Sequence, residues 1–362
     1  MGFRFWLILL AVWLGSPAGQ GLAASYLDEN PDEFFAELYR EFGITGLPVR
    51  VARDPQVWVT LEVLKRERCD RQALGDLVLL LDKAKYRRQA AEAQFGFVRK
   101  CKAPTQALYK AINTFIELAD FPKAVEAADE YMRLEPANHN AHYLRGNALE
   151  GVGDYRRALS DYANAIELYA YDKHKIGHHV YARMANAYAK LGQYCEAATP
   201  ILMWIAVDPM SRDNDRSRKI IGDFERQGNC GALKGDAKER YALRGQSHVV
   251  LAKADINGVR GTFIIDTGAS YVAIKPKFAE RAKIALANAS EITISTANGL
   301  AKGKLAKADK VTLGKLEAAN VPIVVQSLDK MDVDGLLGMS FLSRFEIQMA
   351  GGFLEIRTRK TK

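Results

Sequence analysis

The sequence predicts a multidomain protein: an all-α array of repeated helix pairs, followed by an all-β domain with a single lobe. Three observations predict it. An aromatic–alanine pattern returns at intervals of 34, 34 and 39 residues between Cys69 and Pro209. The hydrophobic period shortens to two beyond about Gln246. Late in the chain, "FIIDTGAS" (Phe263 to Ser270) carries one aspartate out of an apolar run into a tight turn.

The chain has 362 residues, room for two or three separate cores, and its 48 % apolar and 26 % charged content is that of an ordinary soluble protein. The net charge of +8 is uneven. From Asp236 onward 20 basic and 13 acidic residues leave +7 in the last third. These cations are scattered lysines without interleaved aromatics, which reads as a solubilising surface and not as a nucleic-acid footprint.

The amino terminus reads as a signal. Met1 to Arg4 is positively charged, Phe5 to Leu14 is apolar, and Gly15 to Ala24 is small and rich in helix breakers. That order predicts a signal peptide over residues 1–24, with cleavage near Ala18, Ala23 or Ala24. The apolar run is short of the about 20 residues a membrane span needs. The expected mature protein is exported, periplasmic or secreted, with an uncleaved membrane anchor as the alternative. Export bears on Cys69, Cys101, Cys195 and Cys230, because an oxidising compartment favours pairing. No two of these are close in sequence and no histidine stands at ligand spacing from them, so no metal site is expected.

Residues 25–68 read as an amino-terminal helical segment. The repeat follows over 69–229. Tyr86 and Ala90, Phe121 and Ala124, Tyr155 and Ala158, and Tyr194 and Ala197 form the recurring pairs, and Pro136 and Pro209 stand where second helices should stop. "AHYLRGNALEGVGDYRRALSDYANAIEL" (Ala141 to Leu168) resembles the tetratricopeptide (TPR) repeat most closely, with Gly146, Ala158 and Ala165 at its small-residue positions. Phe115 and Tyr188 take a large-residue position. The resemblance implies antiparallel helix pairs that bury their faces by stacking, and a concave surface that holds a protein partner. It also implies a capping helix over Asp215 to Gln227. The antiparallel pairing then implies Cys69–Cys101 and Cys195–Cys230 disulfides, with free buried thiols as the alternative. His174 and His178 are four apart in "HKIGHH", but Gly177 interrupts that helix, so groove or surface histidines are expected.

Between 230 and 245 the chain turns Gly- and charge-rich and reads as a linker. The domain expected over 246–362 begins with the hairpin "SHVVLAKADI"–"NG"–"VRGTFIID", in which Asn257-Gly258 supply positive φ. Strands are expected at 289–295, 301–313, 321–325, 345–348 and 353–357. About 117 residues suffice for one compact β-domain.

"FIIDTGAS" joined to "GLLGMSFL" (Gly335 to Leu342), with Gly338 72 residues after Asp266, resembles the retropepsin-like aspartic peptidases of bacteria. The likeness spans roughly Ser247 to Arg357. It implies a catalytic Asp266 in an active-site loop completed by Thr267, Gly268, Ala269 and Ser270. It further implies a strand containing Leu336, Leu337 and Gly338 behind that loop, and a flap at Thr296, Ala297, Asn298 and Gly299. Thr267 is expected to bond across to its counterpart in an opposing turn. Ser340 stands where many relatives have Asp.

The chain holds no second Asp-Thr/Ser-Gly, and Asp332 and Asp334 precede the Leu-Leu-Gly stretch at an expected turn. The resemblance therefore implies a homodimer in which each copy supplies one Asp266, hydrolysing peptide bonds without cofactor or metal. A different class of reading is a scaffold whose β-domain serves for dimerisation alone. No His-Glu-x-x-His, Gly-x-Ser-x-Gly or Gly-x-x-x-x-Gly-Lys occurs.

Overall fold

Helix boundaries in the first half of the chain are set by short polar residues that satisfy the exposed backbone N–H groups of a first turn. Asp54 accepts from Gln56 and Val57 ahead of Pro55, and Asp70 accepts from Ala73. The computed structural model describes residues 29–102, 105–169, 175–230, 236–243, 249–296, 299–328 and 332–359. The expected signal at 1–24 lies outside the described residues, as do His174, Ala297 and Asn298. The chain divides into two compact units between Leu134 and Glu135.

The first unit opens with α1 (Pro31–Phe34), α2 (Ala36–Phe42), α3 (Val49–Ala52) and α4 (Pro55–Arg66). Two helix pairs follow: α5 (Arg71–Lys83) with α6 (Arg87–Cys101), and α7 (Gln106–Glu117) with α8 (Phe121–Leu134). The recurring Ala90 and Ala124 and the large Phe115 are all buried. Cys69 is bonded to Cys101, with 5.4 Å between Cα atoms. This joins the turn before α5 to the end of α6. The Glu92 carboxylate is buried in α6, where it accepts from the N–H and hydroxyl of Thr45 at 2.7 and 2.8 Å.

The second unit holds two more pairs, α9 (His139–Gly151) with α10 (Tyr155–Leu168) and α11 (His178–Lys190) with α12 (Tyr194–Val207). A short α13 (Pro209–Arg212) and α14 (Asp215–Gly228) close the array. Asn138, Asp154 and the reciprocal Asn214–Ser217 box cap α9, α10 and α14. Ala158, Ala165, Ala197 and Tyr188 are buried between helices. Cys195 at the start of α12 is bonded to Cys230 just beyond α14, again with 5.4 Å between Cα atoms. His178 lies edge-on to Trp204 at 4.6 Å and His179 edge-on to Tyr143 at 5.0 Å. Burial lowers the pKa of His178. Among the described residues no helix is long and apolar enough to cross a membrane.

The β-domain is built from β1 (Lys238–Ala242), β2 (Val250–Ile256), β3 (Val259–Ile265), β4 (Val272–Ile274), β5 (Ser290–Thr296) and β6 (Gly299–Leu313). It is completed by β7 (Leu316–Val325), β8 (Gly335–Leu337), β9 (Phe345–Ala350) and β10 (Phe353–Thr358). Two short helices, α15 (Pro276–Arg281) and α16 (Met339–Leu342), interrupt them. Seven strands run β2-β3-β8-β4-β7-β6-β5, and β2 also pairs with β6, so the sheet curls back on itself. The remaining three run β1-β10-β9. Phe263, Ile274, Phe278, Val311, Ile323, Leu337 and Phe341 fill the interior. Asn257 and Gly258 take φ of 49° and 82°, the left-handed pair a two-residue hairpin requires.

Two features differ from the sequence reading. Residues 238–242, read as linker, form β1, an edge strand whose charged side chains hid its pairing with β10. The division between units falls inside the helical array and not at 230–245. The reason is packing: α10 lies against β5, and α12 lies against β7 and α16. Arg344 strengthens that seam, donating to Thr199 Oγ1 at 3.0 Å and to the Asn320 carbonyl at 2.9 Å.

Replacing Cys195 and Cys230 together by serine should destabilise the second unit by about 2–4 kcal/mol, through the freed unfolded loop. Urea unfolding of oxidised wild type and variant measures this, and coincident midpoints would contradict it.

Candidate active site

Alternation along β3 sends Phe263 and Ile265 into the core and leaves Ile264 half-buried on the other face. The strand ends by presenting Asp266. β8 lies beside β3 in parallel register, with Phe263, Ile264 and Ile265 opposite Gly335, Leu336 and Leu337. On its other side β8 runs antiparallel to β4, with Leu336 opposite Ala273. Gly335 and Leu336 are thus threaded between the strands that enter and leave the aspartate loop, and Leu337 continues the pairing with β3.

The ladder continues one residue past β3, because the Asp266 N–H donates to the Leu337 carbonyl at 3.0 Å. The next turn of chain is stapled in the same way. Met339 N–H donates to the Ala269 carbonyl and Ser340 N–H to the Ser270 carbonyl, both at 2.8 Å. Val272 N–H donates to Ser340 Oγ at 2.9 Å. Gly338 is required by proximity: a Cβ there would stand 2.1 Å from the Tyr271 carbonyl oxygen.

Within the loop, Asp266 Oδ1 accepts from Gly268 N–H at 2.8 Å, and Ala269 N–H returns to the Asp266 carbonyl at 3.3 Å. These bonds fix the rotamer of the carboxylate. Asp266 is half-exposed, Thr267 and Gly268 are exposed, Ala269 is half-buried and Ser270 is buried. Gly268 keeps an ordinary negative φ, so its role is close approach, a Cβ there lying 3.1 Å from Asp266 Oδ1. The result is an oriented carboxylate open to a ligand, at the mouth of a rigid turn.

The hairpin of β5 and β6 carries the residues read as a flap. Thr296 pairs with Gly299, and its hydroxyl donates to the Gly299 carbonyl at 2.7 Å. Ala297 and Asn298 lie outside the described residues.

Several residues around the site carry no motif. Asp334 is structural: its Oδ2 accepts from Thr262 N–H at 2.8 Å, and its Oδ1 meets Arg281 at 3.1 Å. It thereby sets where β8 begins. Tyr271, directly after the loop, is buried and sits in the field of Tyr188, Glu167 and Tyr181 on α10 and α11, and burial raises its phenol pKa far above the ordinary value. Asn164 on α10 accepts from the β5 backbone. No local pattern points to Tyr271 or Asn164. The one available signal for Asp334 is its place two residues before the Leu-Leu-Gly stretch. Among the described residues no group of three or more His, Cys, Asp or Glu is placed to hold a metal ion.

Comparison with known proteins agrees with this geometry in the carboxy-terminal domain. Residues 252–344 match the family of gag-polyprotein putative aspartyl proteases, a span that includes the aspartate loop, the hairpin and β8. The domain is aspartyl-protease-like. An uncharacterized protein in the cobV 5' region of Sinorhizobium sp is 33 % identical over 139 residues, 35 % of this chain and 59 % of that protein. The chain thus spans less than two thirds of that relative's length. A retropepsin-like aspartic protease from Rickettsia conorii is 28 % identical, covering 34 % of this chain and 92 % of its own, with a TM-score of 0.30. A thermophilic TPR protein in Thermus thermophilus is 16 % identical, covering 54 % of this chain and 97 % of its own, with a TM-score of 0.32. The helical array resembles TPR proteins, and the β-rich domain matches a retropepsin-like fold.

Ser340→Ala should leave the buried Val272 N–H without an acceptor and cost about 1–3 kcal/mol. Thermal or urea unfolding reads this loss, and a variant as stable as wild type would contradict the role given to the hydroxyl.

Proposed function

We propose that this protein is an exported aspartic endopeptidase whose site is completed by a second copy of the chain. One observation carries the reading. Asp266 is held at the open end of a doubly supported strand, its carboxylate oriented by Gly268 N–H and left accessible. A single oriented carboxylate cannot both activate water and protonate a carbonyl. A symmetric pair can. Two carboxylates about 3 Å apart cannot both ionise, so they share one proton. The charged Asp266 then takes a proton from a bridging water, and the protonated Asp266 of the second copy donates to the scissile carbonyl oxygen.

The surrounding residues fit that division of labour. Thr267 is exposed beside Asp266, free to bond to its counterpart when two loops meet. The rigid backing by β8 holds each carboxylate in place through both proton transfers. The residues at 296–299 would close over the substrate backbone. The helical pairs would hold a protein substrate or a partner along their concave face. Cleavage in this scheme needs neither metal nor cofactor.

Asp266→Asn should abolish cleavage of unfolded protein substrates at acidic pH while leaving the unfolding midpoint unchanged, and a pepstatin-type inhibitor should block the wild type. Undiminished turnover by the variant would refute the reading. In sedimentation equilibrium, specific activity should follow the dimer fraction, and a fully active monomer would remove the two-chain site.

A further inference from the structure

Strand β5 is the edge of the seven-stranded sheet, yet two of its outward backbone groups are occupied. The register pairs Thr296 with Gly299, Ile294 with Ala301 and Ile292 with Gly303, so the N–H and C=O groups of Glu291 and Thr293 point away from β6. Such groups at a sheet edge ordinarily face water or invite another strand. Here α10 supplies the partners. Asn164 Oδ1 accepts from Thr293 N–H at 2.6 Å, and Ser160 Oγ donates to the Glu291 carbonyl at 2.6 Å. Ser160 and Asn164 are one helical turn apart on a single face, and Glu291 and Thr293 are two apart on a single strand edge. The two spacings match because a turn of helix, about 5.4 Å, nearly equals two strand residues, about 6.6 Å.

Asn164 is buried at 6 % exposure, so its bond to Thr293 is shielded from water. The seam beside it is not continuously packed. A cavity of about 340 Å³ opens there, lined by Leu159, Tyr188, Ser290 and Leu305 among others. Discrete hydrogen bonds hold the strand where packing is incomplete. The same helices also enclose Tyr271, the residue that follows the aspartate loop. The array thus approaches both the residue that follows the Asp266 loop and the outer edge of β5.

We propose that Asn164, seconded by Ser160, is a positioning residue that fixes the β5–β6 hairpin relative to the Asp266 loop, so that the repeat helices belong to the working geometry of the site. This rests on the peptidase reading for its consequence in catalysis, though not for its structural content. A recruiting array joined by a flexible tether would need no such contact. An array that sets the cleft would transmit any partner bound on its surface to the hairpin.

The experiment uses the full chain with Asn164→Ala, Asn164→Asp and the Ser160→Ala/Asn164→Ala pair. Asn164→Asp retains an oxygen acceptor and serves as the conservative variant. Hydrogen exchange should accelerate at the Thr293 amide by on the order of tenfold in Asn164→Ala, the worth of one net hydrogen bond. Exchange in β2 and β3 should stay as in wild type, and Asn164→Asp should restore protection. With a peptide substrate, Asn164→Ala should raise KM several-fold with little change in kcat. Unchanged exchange at Thr293, or equal loss of protection throughout the domain, overturns the proposal. So does a KM that stays at the wild-type value while exchange rises. A wild type without activity refutes the peptidase reading instead, and the exchange measurement still decides the role of Asn164.

Discussion

The threading of β8 between β3 and β4 is the constraint on which the rest of the site depends. A strand of three residues gains little from its own ladder. It persists because Gly335 and Leu336 pair on both sides at once, while Leu337 pairs with Ile265 on β3. Its continuation then staples the aspartate loop through Leu337, Met339 and Ser340. The close approach of Gly338 to the Tyr271 carbonyl shows how little room this leaves. Leaving a buried backbone group without its partner costs about 1–3 kcal/mol. Asp266 is therefore oriented by a framework whose members fail together.

That framework does not stop at the sheet. Asp334 uses its carboxylate to set the entry of β8 against Thr262, with Arg281 balancing its charge. Tyr271 leaves the loop to insert among helices, and Arg344 returns from α16 to reach Thr199 on α12. The helical repeats from α9 onward and the β-domain thus form one packed unit. An array of this kind ordinarily buries each repeat against its neighbours and presents a capped end to solvent. Here α14 closes the array, held to α12 by a disulfide, while the β-domain packs along α10 and α12.

The histidines in this array show the same economy. His178 and His179 meet different aromatic rings, Trp204 and Tyr143. Glu92 shows it in the first unit, where Oε2 of a buried carboxylate accepts both the N–H and the hydroxyl of Thr45.

Much of this was legible because it is local. The return of aromatic and alanine after 34, 34 and 39 residues reports helices that must pack closely, and the structure buries Ala90, Ala124, Ala158 and Ala197. Asn257-Gly258 names its hairpin through backbone sterics alone. "FIIDTGAS" and "GLLG" together carry the aspartate and the strand behind it. Strand β1 is not legible in the sequence because an edge strand of charged residues resembles a linker in composition. By itself, then, the sequence determined two kinds of domain, the aspartate and its turn, since each follows from periodicity or local backbone geometry. Tertiary structure alone decided that Asp334 is structural, that Tyr271 is buried among helices, and that Asn164 meets Thr293 across 129 residues of chain. Those pairings depend on how separate elements dock, and no local propensity encodes which side chain will face which strand edge.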